Sequence, residues 1–183
     1  MHKRMIDVSK QAVIAAVLCV LLLSHNLYGT NRPEKWADEI KVKGIGNFYK
    51  VSDELYRGRQ PTAEGIAKLK ELGIKTIVNL RMEESDSELL TDSNIAYERI
   101  AIKAKTVDEA DVIKFLKIAT NKEKTPVFLH CRRGADRTGM MVAVYRVAVQ
   151  DWTKEEAIEE MVKGGYRFSP LCRKLKTFIM NLD

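Results

Sequence analysis

The chain reads as an α/β domain built on a central, mainly parallel sheet flanked by helices, and three observations predict it. Short runs rich in β-branched residues alternate with segments whose apolar residues recur every three or four positions. The run Ile74–Leu80 is strongly β-prone and Val127-Phe128-Leu129 is wholly apolar, as buried strands are. Finally, residues 130–139, HCRRGADRTG, join the second of those runs to the apolar stretch Met140–Val144, which gives strand, tight loop and helix in succession.

Taken in order, Phe48–Val51 and Leu55-Tyr56-Arg57 form two short strands around a turn at Ser52-Asp53-Glu54. Thr62 caps a helix carrying Ile66, Leu69 and Leu72, which Gly73 closes. Ile74–Leu80 is the first buried strand, and a polar, acidic loop from Glu83 to Asp92 leads to another strand over Ile95–Ile102. Thr106-Val-Asp-Glu109 has capping-box form and opens a helix with Val112, Phe115, Leu116 and Ala119 on one face. A second box, Thr153-Lys-Glu-Glu156, precedes Ala157, Ile158 and Met161. Ser169-Pro170 begins a last helix presenting Leu171, Leu175, Phe178 and Leu182.

Ahead of this domain, His2, Lys3, Arg4 and Lys10 lead into an uninterrupted apolar stretch from Ala12 to Leu23. A cationic start and a short apolar core have the form of a secretory signal or an uncleaved anchor. The cationic end stays cytoplasmic, so the remainder is expected outside the cytoplasm, exported and tethered to a membrane if the segment is retained. The expected organisation is residues 1–29 as signal or anchor, 30–43 as a polar linker, and 44–183 as the folded domain.

A net charge of +6 suits a polyanionic partner or a membrane surface. The basic residues are dispersed among acidic ones, with no dense Lys/Arg run, which argues against nucleic acid. Cys19, Cys131 and Cys172 cannot all pair within one chain, and no C-x-x-C or zinc spacing is present. Neither a metal nor another cofactor is implied.

The loop at 130–139 carries the chemistry. Consecutive N–H groups in such a turn form an anion-binding concavity, and the following helix dipole favours negative charge there. The same field favours thiolate at Cys131, lowering its pKa from about 8.5 toward roughly 3.5–7.5. A phosphate is thereby held against a sulfur nucleophile.

The match to HCxxGxxRTG is complete, and the chain resembles the cysteine-dependent dual-specificity phosphatases. It is also similar to a subgroup, shared by bacterial proteins and eukaryotic inositol-pyrophosphate phosphatases, marked here by Leu55-Tyr56-Arg57-Gly58-Arg59-Gln60-Pro61 and the strand IKTIVNLR from residue 74. The resemblance runs from Phe48 to Leu182. It implies the cysteine-phosphatase fold, a phosphorylated substrate (a phosphoprotein, inositol phosphate or lipid phosphate), and the following roles. Cys131 is the nucleophile that forms a cysteinyl phosphate. Arg137 grips two phosphate oxygens, and Thr138 hydrogen-bonds the departing thiolate. Arg132, Arg133, Gly134, Ala135 and Asp136 make up the substrate-binding loop, with Gly134 permitting a turn that a side chain would obstruct. His130 fixes the loop from behind. Apart from the resemblance, Arg132 and Arg133 either project to solvent without a role or, joined by Arg57 and Arg59, form a cationic rim for substrates with several phosphates.

The general acid is less legible, because the stretch from Arg99 to Lys105 holds no carboxylate. Asp108 occupies the place of the subgroup's aspartate. Glu98, Asp111 and Asp136 remain alternatives, with helix capping the competing explanation for Asp108 and Asp111. The leading expectation is a metal-independent phosphatase acting on phosphomonoesters or phosphoanhydrides. A phosphate-binding module with little catalysis is the alternative. Arsenate reduction or sulfur transfer is weaker, since Cys172 is the domain's sole candidate for a resolving thiol.

Overall fold

A computed structural model describes residues 32–182 apart from 84, 85, 87, 92 and 104–106. The chain divides into two units, Met1–Glu34 and Lys35–Asp183, and the second carries the sheet and its helices. The expected signal or anchor over residues 1–29 lies outside the described residues. Among those that are described, no helix is long and apolar enough to cross a membrane.

The elements run β1 (Asp38–Glu39), β2 (Tyr49–Lys50), β3 (Leu55–Arg59), α1 (Ala63–Glu71), β4 (Thr76–Asn79), β5 (Ala96–Arg99), α2 (Glu109–Ala119), β6 (Val127–Cys131), α3 (Asp136–Gln150), α4 (Lys154–Lys163) and α5 (Arg173–Met180). The sheet has the order β1-β2-β3-β6-β4-β5. Strands β3, β6, β4 and β5 are parallel neighbours, and β1 and β2 extend the β3 edge in antiparallel fashion. This is the expected mainly parallel sheet.

Alternation along the strands sends successive side chains to opposite faces and divides the core in two. Ile77 and Phe128 pack with Ile66 and Leu69 of α1. Val78, Val127 and Leu129 pack with residues of the other four helices, including Phe115, Met140, Met161 and Leu175. Helix α3 lies deepest, with all but one of residues 136–146 buried. That explains its weak polar stripe, because a helix enclosed on all sides has no face to give to water.

Four boundaries differ from expectation. The folded unit reaches back to Lys35 rather than starting at Gly44, because residues of the supposed linker are part of it. Asp38 and Glu39 pair with Lys50 and Tyr49 as an edge strand, and the Ala37 N–H donates to Glu160 Oε1 at 2.7 Å. Helix α2 is capped by Asp108, whose side chain accepts from the Ala110 N–H; Thr106, the expected cap, lies outside the described residues. Ser169 does cap the Leu171 N–H, but a 3-10 turn (Pro170–Cys172) precedes α5, leaving Leu171 92% exposed. Strand β5 occupies only the middle of Ile95–Ile102.

Candidate active site

The loop leaves the C-terminal end of β6, the strand flanked by β3 and β4, and enters α3. Cys131 ends the strand and is 3% exposed. Burial alone pushes its thiol up. The Thr138 hydroxyl and N–H, the Arg137 guanidinium and the Arg133 N–H oppose this and hold it below the ordinary thiol value. Thr138 Oγ1 is buried with no other hydrogen-bond partner among the described residues, which leaves it for the sulfur. Ala135 caps α3 without any side-chain hydrogen bond. The first N–H groups of the helix are therefore not satisfied by a cap, as an anion site requires.

Arg137 is aimed by backbone rather than by a carboxylate. Its Nη1 donates to the Leu80 carbonyl at 3.1 Å and the Ile102 carbonyl at 3.2 Å. That leaves the Nε and Nη2 N–H groups as a parallel pair suited to two oxygens of one oxyanion. Gly134 has φ of +67°, and an added Cβ would lie 2.4 Å from the Gly58 backbone, so both conformation and space require glycine.

Arg132 and Arg133 are exposed and lie on separate sides of the loop. Arg132 lines a concavity of about 550 Å³ with Arg59, Gln60 and Thr62. Arg133 lines another of about 560 Å³ with Arg59, Asn47, Tyr49 and Arg167. Arg59 thus faces both hollows. Arg57 does not join this rim. It is fully buried beneath the loop, where its Nη2 donates to the Gly134 carbonyl at 2.7 Å and the guanidinium stacks 3.7 Å from the centre of the Tyr166 ring.

His130 is fully buried, stacked on Phe128 at 5.6 Å between ring centres. Its Nε2 lies 3.0 Å from Asp86 Oδ2, and its Nδ1 lies 3.4 Å from the Cys131 carbonyl oxygen. The Asp86 carboxylate also accepts from Asn79 Nδ2 and Gln60 Nε2, each at 2.9 Å. Sequence reasoning missed both Asp86 and the buried place of Arg57. Asp86 sits in an acidic stretch, and nothing in the sequence singles it out there. Arg57 had a signal: an ionisable residue between Tyr56 and Gly58 in a strand that otherwise reads as core.

The acid candidates occupy different settings. Glu98 is paired with Lys124 at 2.7 Å. Asp136 is buried, bound to Arg133 at 2.8 Å and to the Ser169 N–H at 2.7 Å. Asp111 is half-buried in the first turn of α2. Asp108 is exposed, with Oδ1 on the Ala110 N–H at 3.1 Å and Oδ2 uncommitted among the described residues.

Comparison with known proteins gives a consistent set of relatives. A family model described as "DSP-PTPase phosphatase fused to NAD+ Kinase" matches residues 41–170. The chain is 31% identical over 176 residues to the dual specificity protein phosphatase TpbA of Pseudomonas aeruginosa, covering 93% of this chain and 79% of that protein. It is 32% identical over 127 residues to the inositol diphosphatase DSP3 of Arabidopsis thaliana, covering 65% of this chain and 62% of that one. Among solved structures, P. aeruginosa TpbA superposes with a TM-score of 0.75 at 32% identity, over 83% of this chain and 93% of the other. The catalytic core of the PP-IP phosphatase SIW14 from S. cerevisiae gives 0.68 at 27% identity, over 78% and 89%.

Proposed function

Because this chain belongs to the dual-specificity, protein-tyrosine-phosphatase-like family and is a phosphoric monoester hydrolase, we propose that it works through a cysteinyl-phosphate intermediate without a metal. The observation that supports this reading best is the thiol held below its ordinary value despite near-complete burial, at the mouth of an uncapped helix. A buried structural cysteine would shift the other way.

In the first step the Cys131 thiolate attacks phosphorus, the S–P bond forms, and the P–O bond to the leaving group breaks. Asp108 delivers a proton to the departing oxygen. The free edge of Arg137 and the N–H groups of the loop bind the equatorial oxygens, matching charge as it develops. In the second step Asp108 takes a proton from water, whose oxygen attacks phosphorus. The S–P bond breaks, the thiolate returns under a hydrogen bond from Thr138, and inorganic phosphate leaves. The enzyme ends as it began.

The substrate carries a phosphate on a protein, an inositol or a lipid. TpbA was crystallised with pTyr, and the Arabidopsis relative is an inositol diphosphatase, so phosphotyrosine peptides and inositol pyrophosphates lead the panel to be assayed. In that panel, Cys131→Ser should abolish phosphate release from every substrate while inorganic phosphate still binds. Turnover retained in the variant would overturn the mechanism.

A further inference from the structure

Arg57 is a fully buried cation beneath the loop, and the two displacement steps do not use it. Its guanidinium is fully excluded from solvent, and its Nε and Nη1 have no hydrogen-bond partner among the described residues. Among the described residues no carboxylate bonds it. The nearby Glu160 is engaged by Arg146 at 2.8 and 2.9 Å, by the Tyr166 hydroxyl at 2.8 Å and by the Ala37 N–H. A guanidinium keeps its charge under such conditions, so the cation stands in the interior against a ring face and one hydrogen-bonded carbonyl.

That carbonyl belongs to Gly134, and its direction has a consequence. In a trans peptide the C=O and the following N–H point in opposite directions. Holding the Gly134 oxygen toward Arg57 therefore turns the Ala135 N–H away from Arg57, to the side where the loop takes its anion. The positive φ of Gly134 and its close approach to Gly58 belong to the same arrangement. Strand β3 acts as a mould for the loop, in register with β6 at Arg57↔Leu129 and Arg59↔Cys131.

We propose that Arg57 is a positioning residue for the phosphate site: by fixing the Gly134 carbonyl it aims the Ala135 N–H at the bound oxyanion, and its buried charge lies beneath the loop that Cys131 opens. This rests on the cysteinyl-phosphate reading but can fail separately from it. The test follows alkylation of Cys131 by iodoacetate against pH, read on the Cys131 peptide, together with vanadate affinity in the full chain. Arg57→Met should move the alkylation midpoint upward by about one unit, leaving roughly tenfold less thiolate below the midpoint. It should also weaken vanadate binding. Arg57→Lys, which restores charge without the fork, should recover the midpoint but not the vanadate affinity.

A folded Arg57→Met protein with unchanged midpoint and unchanged vanadate affinity overturns the proposal. If that variant does not fold, the wild-type protein carries the test: the Arg57 Nε–H resonance should shift as vanadate saturates, and a silent resonance overturns it. An ordinary midpoint in the wild type would instead strike the cysteinyl-phosphate reading itself.

Discussion

At the scale of single residues, the site depends on a sulfur whose burial and whose neighbours pull in opposite directions. Burial disfavours the charge; the Thr138 hydroxyl and N–H, then Arg137, favour it and prevail. The sign follows directly. Cys131 should be alkylated rapidly at pH values where an ordinary thiol is protonated, and the rate should fall only as pH drops through its lowered value. Thr138→Ala removes the hydroxyl from both ends of the reaction. Its alkylation midpoint should rise, and release of phosphate from the intermediate should slow by about tenfold or more, the scale of a lost hydrogen bond to a charged group. A pre-steady-state burst followed by a slower steady state would mark the second step as the one affected. A midpoint unchanged from wild type would remove Thr138 from the account.

Secondary elements decide where those residues stand. Helix α3 brings Thr138 and Arg137 to the sulfur with its first turn, and its far end is held by a buried ion pair. Arg146 Nε lies 2.8 Å from Glu160 Oε2 of α4, and both side chains are almost wholly buried. Burial raises the Glu160 carboxyl, but the Arg146 hydrogen bond and charge outweigh it, and the group lies below the ordinary value of 4.5. A carboxylate depressed by folding contributes stability that is fully present above its unfolded value. That contribution is lost as pH falls through the folded value. Glu160→Gln leaves the Arg146 charge buried without its partner, which should cost about 3–5 kcal/mol at neutral pH. Chemical denaturation should show this loss, together with a flatter acid limb; equal stability at pH 7 would contradict it.

For the whole molecule, the arrangement of the sheet gathers groups that are far apart in the chain. Parallel neighbours β3 and β4 flank β6, so Gly58 meets the loop from one side while the Leu80 and Ile102 carbonyls hold Arg137 from the other. Asp108, proposed above as the acid, caps α2. Its loss should depend on the leaving group, since an acid matters most when the departing oxygen is strongly basic. Asp108→Asn should therefore slow alkyl phosphates by about 10²–10⁴-fold and aryl phosphates or phosphoanhydrides much less. Equal losses across leaving groups in steady-state assays would argue that Asp108 only caps its helix.

Much of this could be read from the chain alone. The strand–loop–helix around HCRRGADRTG, the parallel sheet and the family follow from local pattern, because a tight phosphate loop needs its residues at fixed spacing and a doubly covered strand needs an apolar run. The edge strand at Asp38–Glu39, the buried guanidinium of Arg57 and the carboxylate of Asp86 beside His130 did not follow from it. Their sequence contexts are polar or ambiguous, and their partners lie far along the chain: Glu160 to Ala37, Gly134 to Arg57, His130 to Asp86. Short-range pattern determines which segments form strands and helices and where the anion loop falls. Only the packed fold decides which charges are taken out of water, because that depends on which distant backbone and side chains come to meet them.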